Sequence, residues 1–369
     1  MLIQLHGTAV LGCFFYRLVG MTDPRAFGDH QHSLGTQLVH TDAEVIVVGH
    51  AAAREIALDP ASYSSGVSAH LQLPNGLDGE EHARFRTLLD IYLNAEVVAE
   101  MDFRSVARDV LDRAADSLDA DRLAALFSVR AMRHWLSWPE SLEDRLLDWV
   151  AENARAARSG DRAWTARVAA EYDEIITAAL EATPEGSVTW HLAHDHGLEH
   201  AEIVSILRNW TAGDLGSMAK CIGVIVRALA DNVPLQERLR GGVSHMEFVA
   251  IADELLRLDD PFVSNRRVTT CPVHVAGEEL DAGTRVRLHW TAANRDPHMF
   301  RGFDPEGHAA DNLVWGVGAH YCPGKPLSMY ELHAFFAELL PRFDLVPSGD
   351  GERDLAGGWA RTPVVLRAR

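Results

Sequence analysis

The sequence predicts a mainly α-helical protein with small β-sheets, an α+β fold organised on one long buried helix. Three observations carry this expectation. From Val97 to Thr183 the chain is almost wholly helical in pattern, with long stretches of Ala, Leu, Arg, Asp and Glu and no strand signal. Glu199 to Asn232 is the longest helical pattern, and its middle, Ile206 to Val224, is apolar most of the way round, which marks a buried helix. At ~1.5 Å per residue that helix would span roughly 50 Å. Strand-like runs cluster at the two ends of this helical middle.

Composition sets the outer bounds. Hydrophobic residues make up 47% of the 369 and charged residues 24%, ordinary values for a soluble globular chain. A formal net charge of −19 argues against non-specific nucleic-acid binding, which needs a basic footprint. The four cysteines (Cys13, Cys221, Cys271, Cys322) lack pairing-like spacing, which suits a reducing compartment. No run of about eighteen apolar residues appears, so no membrane span is expected. Leu2 to Gly20 lacks the basic start and cleavage site of a secretory signal. The expectation is a cytoplasmic protein, with residues 1–369 forming a single domain that contains no internal repeat and no reductase domain.

Taken in order, Met1 to Asp42 carries little legible pattern. Ala43 to His50 is a β-branched run that reads as a strand, and Ala51 to Leu58 as a short helix stopped by Asp59-Pro60. Asp78, His82 and Arg86 recur at four-residue spacing and would share one helix face. That face is either a solvated charged surface or a site for an anionic partner. Pro139 and Gly160 punctuate the helical middle and Pro184 closes it. His191, His194, His196 and His200 read as a wet loop rather than a metal cluster, because Gly197 interrupts any regular helix.

Within the long apolar helix, Asp214 stands beside Gly213 and Gly216. A buried carboxylate is costly unless the helix opens there to water or a ligand, so Asp214 is a functional candidate. Glu254 and Arg257, three apart, can pair on one helix face. Arg266 to Val275 reads as a strand, Gly277 to His289 completes a hairpin-rich sheet, Leu327 to Leu340 is a helix stopped by Pro341, and Phe343 to Arg369 supplies a closing strand pair.

The stretch with the most specific chemistry is Trp315 to Gly324. Gly316 and Gly318 allow backbone angles closed to other residues, and Gly324 removes bulk two residues past Cys322, where a flat ligand could lie. The helix that follows presents its N-terminus to the sulfur and favours thiolate over thiol. One isolated thiolate on a short rigid loop is what single-point ligation of a haem iron requires. A zinc site would need three or four clustered ligands.

At Trp315, Gly316, Gly318, His320, Cys322, Gly324, Leu327 and Ser328 the sequence resembles the haem loop of the cytochrome P450 family, F-G-x-G-x-H-x-C-x-G-x-x-L-A, with Trp for Phe and Ser for Ala. The resemblance implies the cytochrome P450 fold, with its long central helix over the haem. It implies heme b (iron protoporphyrin IX), with Cys322 as the metal ligand. His82 and Arg86 match the family's D-x-x-x-H-x-x-x-R and, with Arg266 and His320, would neutralise the haem propionates. The family's A-G-x-[DE]-T-T motif is only partly kept. Asp214 looks like the acid, one residue early, Leu215 and Gly216 stand where the threonines would follow, and Ser217 is the nearest hydroxyl. Glu254 and Arg257 match the family's structural pair, with Arg301 as its third partner.

The function implied is a bacterial haem-thiolate monooxygenase. It would insert one oxygen atom from O2 into a small apolar or aromatic substrate, beneath the loop Ser64 to Pro74. Electrons would come from an external ferredoxin, flavodoxin or reductase module docking on a basic patch near Lys325. The absent threonines leave open a peroxide-driven peroxygenase. A non-catalytic haem sensor or carrier is the third reading.

Overall fold

The computed structural model describes residues 23–68, 70–113 and 119–369; Cys13 and the rest of residues 1–22 lie outside the described part. It is mainly helical with small sheets, as the sequence predicts. The first described helix, Pro24–Ser33, falls in a stretch with no legible pattern. Asp23 caps it by accepting the Arg25 N–H, Pro24 fixes its first turn, and Phe27 anchors it in the core. With so few apolar residues, this helix leaves no periodicity in the sequence.

The strands are β1 (Leu38–His40), β2 (Val45–Val47), β3 (Tyr63–Ser64), β4 (Ser264–Thr269), β5 (Val273–Val275), β6 (Glu278–Leu280), β7 (Arg285–His289), β8 (Phe343–Pro347), β9 (Glu352–Arg353), β10 (Trp359–Arg361) and β11 (Val364–Ala368). The largest sheet has the order β1-β2-β7-β4-β3 and joins the two ends of the chain, since β2 pairs with β7 in parallel. The pairs β5–β6, β8–β11 and β9–β10 are separate two-stranded ribbons. In the β4–β7 register, Arg266 faces Arg287 and Arg267 faces Val286. Successive residues of a strand point to opposite faces, so the two arginines go opposite ways. Glu44 claims Arg266 at 3.3 Å together with Arg287 at 2.5 Å. Arg267 turns to the other side and is buried there.

The long apolar helix forms as two segments, His200–Leu215 and Ser217–Asp231, meeting at Gly216. Its start is set by a capping box between Glu199 and Glu202. The break falls beside the one carboxylate in the apolar run, where an uninterrupted helix would be hardest to solvate. The helix Ala120–Leu136 packs on both segments, and Phe127 meets Phe335 of the helix Lys325–Leu339 at 4.9 Å. These elements share one continuous core that runs from Leu73 to Leu366.

Glu254 and Arg257 form the buried pair that their spacing suggests, with Nε–Oε2 at 2.7 Å. The third partner differs from expectation. His308 Nδ1, not Arg301, reaches Glu254 at 2.8 Å, and Arg257 also donates to the carbonyls of Asn294 and Gly302. The loop between Asn294 and His308 curls over the pair and brings the imidazole, rather than the guanidinium, onto the carboxylate. Among the described residues no helix is long and apolar enough to cross a membrane.

Candidate active site

The loop carrying Cys322 is held from three sides. Its own turn closes when the Cys322 N–H donates to the Trp315 carbonyl at 2.8 Å. Arg86, on the helix Gly79–Leu89, donates to the carbonyls of Ala319 (2.9 Å) and Tyr321 (3.0 Å) while pairing with Asp90. Asp253 accepts from Trp315 Nε1 at 2.7 Å and pairs with Lys325 at 2.5 Å. Lys325 therefore has its charge neutralised locally and does not by itself present a basic docking patch. Gly316 and Gly318 take φ of 71° and 76°, the left-handed region that other residues resist. A Cβ on Gly324 would stand 3.8 Å from Sγ of Cys322, so glycine keeps that face of the sulfur clear.

Cys322 borders a cavity of about 320 Å³. Burial pushes its thiol up, opposed by the Gly324 N–H, the Arg86 charge and the Lys325 N–H and charge. A thiolate here would thus be stabilised by donors already aimed at it, and more fully by a bound cation.

At one rim, His82, His320 and Arg267 converge. The two imidazoles lie 4.2 Å apart, and both are pushed down, chiefly by burial; His320 falls to about 4, with Arg267 and His82 adding to the effect. His320 also contacts Ser65 Oγ and Asp78 Oδ1, each at 3.1 Å. Asp78 accepts from Ser64 Oγ and the Ser65 N–H as well, so the helix start, the preceding loop and the Cys loop are tied together. Three basic side chains against one shared carboxylate suit an anionic ligand. Arg266 is not among them. Held by Glu44 on the opposite sheet face, it is replaced at the cavity by Arg267.

The facing wall comes from the long helix. Trp210, Gly213, Asp214 and Ser217 all line the cavity. A Cβ at Gly213 or Gly216 would meet nothing within 4 Å, so this stretch borders open space. Asp214 is buried, and its neighbour is Glu331 of the helix Lys325–Leu339, which is fully buried. Among the described residues no N–H or hydroxyl donor reaches either Glu331 oxygen or Asp214 Oδ2, which leaves the two carboxyls each other as hydrogen-bond partner. Burial pushes both carboxyls up; the charge and hydrogen bond of Asp214 raise Glu331 further, while the same hydrogen bond lowers Asp214, so one proton stays with the pair, on the Glu331 side, at neutral pH. Sequence reasoning missed Glu331. Its only signal is a lone carboxylate in the run Leu327 to Phe336, which is otherwise largely apolar.

The remaining lining is aromatic and aliphatic: Trp135, Trp290, Phe262, Leu89 and Leu93. A sulfur on one wall, open helix backbone opposite and a basic rim between them fit a flat dianionic macrocycle bound through its metal. Among the described residues no group of three His, Cys, Asp or Glu could hold a metal ion. The stretch 191–200, expected as a loop, is helical at its start: His191 and His194 lie in the helix Val188–His194, and His191 bonds Asp195.

A family model described as Cytochrome P450 matches residues 242–365. The Mycobacterium tuberculosis H37Rv protein designated cytochrome P450 126 is 28% identical over 356 residues, covering 81% of each chain. Cyclomarin C epoxidase CymV of Salinispora arenicola is 27% identical over 207 residues, 55% of this chain and 47% of that protein. Among solved structures, a mutant of P450 EryK in complex with erythromycin B superposes with a TM-score of 0.80 at 22% identity, covering 92% of this chain and 96% of that one. The hydroxylase HmtN, involved in himastatin biosynthesis, gives 0.77 at 22% identity over 95% and 100%.

Proposed function

We propose, because this chain belongs to the cytochrome P450 family, that Cys322 holds a haem iron and that the cavity beside it is where an organic substrate is oxygenated. The protein is a haem-thiolate monooxygenase of that family, using O2, a substrate and external electrons. The observation that carries the site assignment is Cys322 Sγ at the wall of a cavity whose rim is basic and whose facing helix is open. The group is heme b on this reading, since none of the four cysteines forms the Cys-x-x-Cys-His pattern of covalent attachment. Electrons come from a ferredoxin, flavodoxin or reductase module outside residues 1–369, whose cysteines do not have the spacing of cluster ligands. A cytoplasmic setting agrees with the scattered cysteines.

When bound, the haem supplies the oxygen-activating iron. Cys322 presents its sulfur to that iron, and the N–H groups of Gly324 and Lys325 share the charge. His82, Arg267 and His320 bind the two propionates, with Arg86 securing the loop from behind. Arg267→Gln should weaken haem binding by about 1.5–3 kcal/mol, the worth of a charged hydrogen bond. Arg266→Gln should leave haem affinity unchanged while lowering stability through Glu44. Haem titration of the two apoproteins compares them, and equal losses would sink the assignment to Arg267.

The Asp214–Glu331 pair holds a proton beside Ser217, whose hydroxyl can pass it into the cavity. Trp135, Trp290, Phe262 and Leu93 exclude water and favour a small apolar or aromatic substrate. A second reading, peroxide-driven oxygenation, is favoured by Leu215 and Gly216, which leave the helix without an alcohol in the usual place. Gly216 has φ −97°, and a Cβ there would meet nothing within 4 Å, so the backbone accepts a side chain at this position. Gly216→Thr should raise product formed per electron in the reductase-driven reaction several-fold and depress peroxide-driven turnover. If wild-type turnover with hydrogen peroxide already exceeds that with a reductase system, the second reading replaces the first.

A further inference from the structure

One feature of the cavity is unused by this chemistry: an aromatic column running from its wall to the surface. Trp135 and Trp210 both line the cavity, with ring centroids 5.2 Å apart. Trp210 meets Tyr92 edge-on at 5.9 Å. The Tyr92 hydroxyl oxygen lies 2.6 Å from Nε2 of His196, across 104 residues of sequence, and in the Nδ1-protonated tautomer of the imidazole the phenol is the donor. His196 follows the helix Val188–His194 and is half-exposed. The ring separations are those of direct contact. Packing accounts for the three rings touching. It does not require a basic nitrogen on the phenol oxygen of a half-exposed tyrosine, which water would serve as well.

Tryptophan and tyrosine are among the side chains that most readily lose an electron. A phenol that has lost one becomes a strong acid and gives its proton to an adjacent base. Nε2 of His196 is that base, and its position at the surface lets the proton continue to solvent. Burial, with the Asp195 carboxylate, pushes Tyr92 up, so the phenol is not ionised at neutral pH and parts with its proton only together with an electron.

We propose that Trp210, Tyr92 and His196 form an exit route for an oxidising equivalent left unused at the haem, ending as a neutral tyrosyl radical at Tyr92 hydrogen-bonded to protonated His196. This rests on the haem reading given above. One electron passes from Trp210 to the haem group, which is thereby reduced by one. Tyr92 returns one electron to Trp210 and transfers its phenolic proton to Nε2 of His196. A small thiol or ascorbate in solution then gives a hydrogen atom to the Tyr92 oxygen and is itself oxidised by one electron, while His196 releases its proton to water. Trp135, tilted against Trp210 at 5.2 Å, offers the hole a second resting place within the wall. The route would spare the cavity lining when peroxide or O2 is consumed without substrate.

The test uses haem-loaded protein whose reduced carbon monoxide spectrum has first been shown to be of the thiolate type; failure at that step bears on the haem reading alone. Hydrogen peroxide is then added without substrate, and samples are freeze-quenched for electron paramagnetic resonance. The wild type should give a tyrosyl signal whose coupling narrows in ring-deuterated tyrosine. Tyr92→Phe should lose it and show a tryptophan radical, His196→Gln should change its g-anisotropy, and ascorbate should quench it. Tyr92→Phe haem should also bleach several-fold faster in peroxide. A tyrosyl signal unchanged in Tyr92→Phe would place the radical elsewhere, for instance on Tyr321 beside the Cys loop, and overturn the proposal. So would the absence of any protein radical in a correctly loaded wild type.

Discussion

Replacing Arg257 with methionine should destabilise the folded chain by about 3–5 kcal/mol, the usual consequence of removing one member of a buried ion pair. Both side chains are 2% exposed. Arg257 gives two hydrogen bonds to Glu254, one each to the carbonyls of Asn294 and Gly302, and lies over the Phe300 ring at 4.3 Å. Methionine fills much of the volume but leaves Glu254 buried with only the Asp304 N–H and His308 for company. The carboxylate would then take up a proton or draw water into the core. The same contacts set a pH dependence. Burial alone would raise Glu254, but Arg257, the Asp304 N–H and His308 outweigh it and hold the group below its ordinary value. A carboxyl with a lowered folded pKa contributes stability that is present above its unfolded pKa and lost as pH falls through the folded one. Wild-type stability should therefore decline in acid below the ordinary glutamate range, and Arg257→Met should lose much of that dependence. Urea titrations across pH read both effects. Parallel pH curves for the two proteins would show that the pair does not govern acid stability.

Replacing Cys322 with serine should reduce oxygenation to background while leaving the fold in place. The loop is closed by the backbone bond from residue 322 to Trp315 and by Arg86 on two carbonyls, none of which uses the sulfur. Only the side-chain atom facing the cavity changes. A serine hydroxyl stays protonated at neutral pH and would be a poor partner for a haem iron, so the electron donation that a cysteinate would supply there would be lost. Melting temperature and circular dichroism should be close to wild type. Retained oxygenation in Cys322→Ser would mean that another group binds the metal.

The parts of this site that were legible in the sequence are those where backbone geometry restricts residue choice. Gly316 and Gly318 sit at positive φ, and the Cys loop needs them there. Glu254 and Arg257 lie one helical turn apart, so spacing alone brings them together. What stayed hidden depended on which way a side chain turns, or on which distant segment lies opposite. Arg266 and Arg267 are adjacent in a strand, and only pairing with β7 and the reach of Glu44 decide that Arg267 meets the cavity. His308 displaces Arg301 beside Glu254 because of a loop path that leaves no periodicity. Glu331 looks like an ordinary helix carboxylate until the long helix brings Asp214 to it. Tyr92 and His196 meet across elements whose packing no local pattern encodes.

The most direct test is the absorption spectrum of the haem-loaded protein, dithionite-reduced and saturated with carbon monoxide. Ligation through an ionised Cys322 predicts the strongly red-shifted Soret band of a thiolate-bound carbonyl adduct, absent in Cys322→Ser. A Soret band of the histidine-ligated type, or protein that remains colourless after haem is supplied, would contradict it.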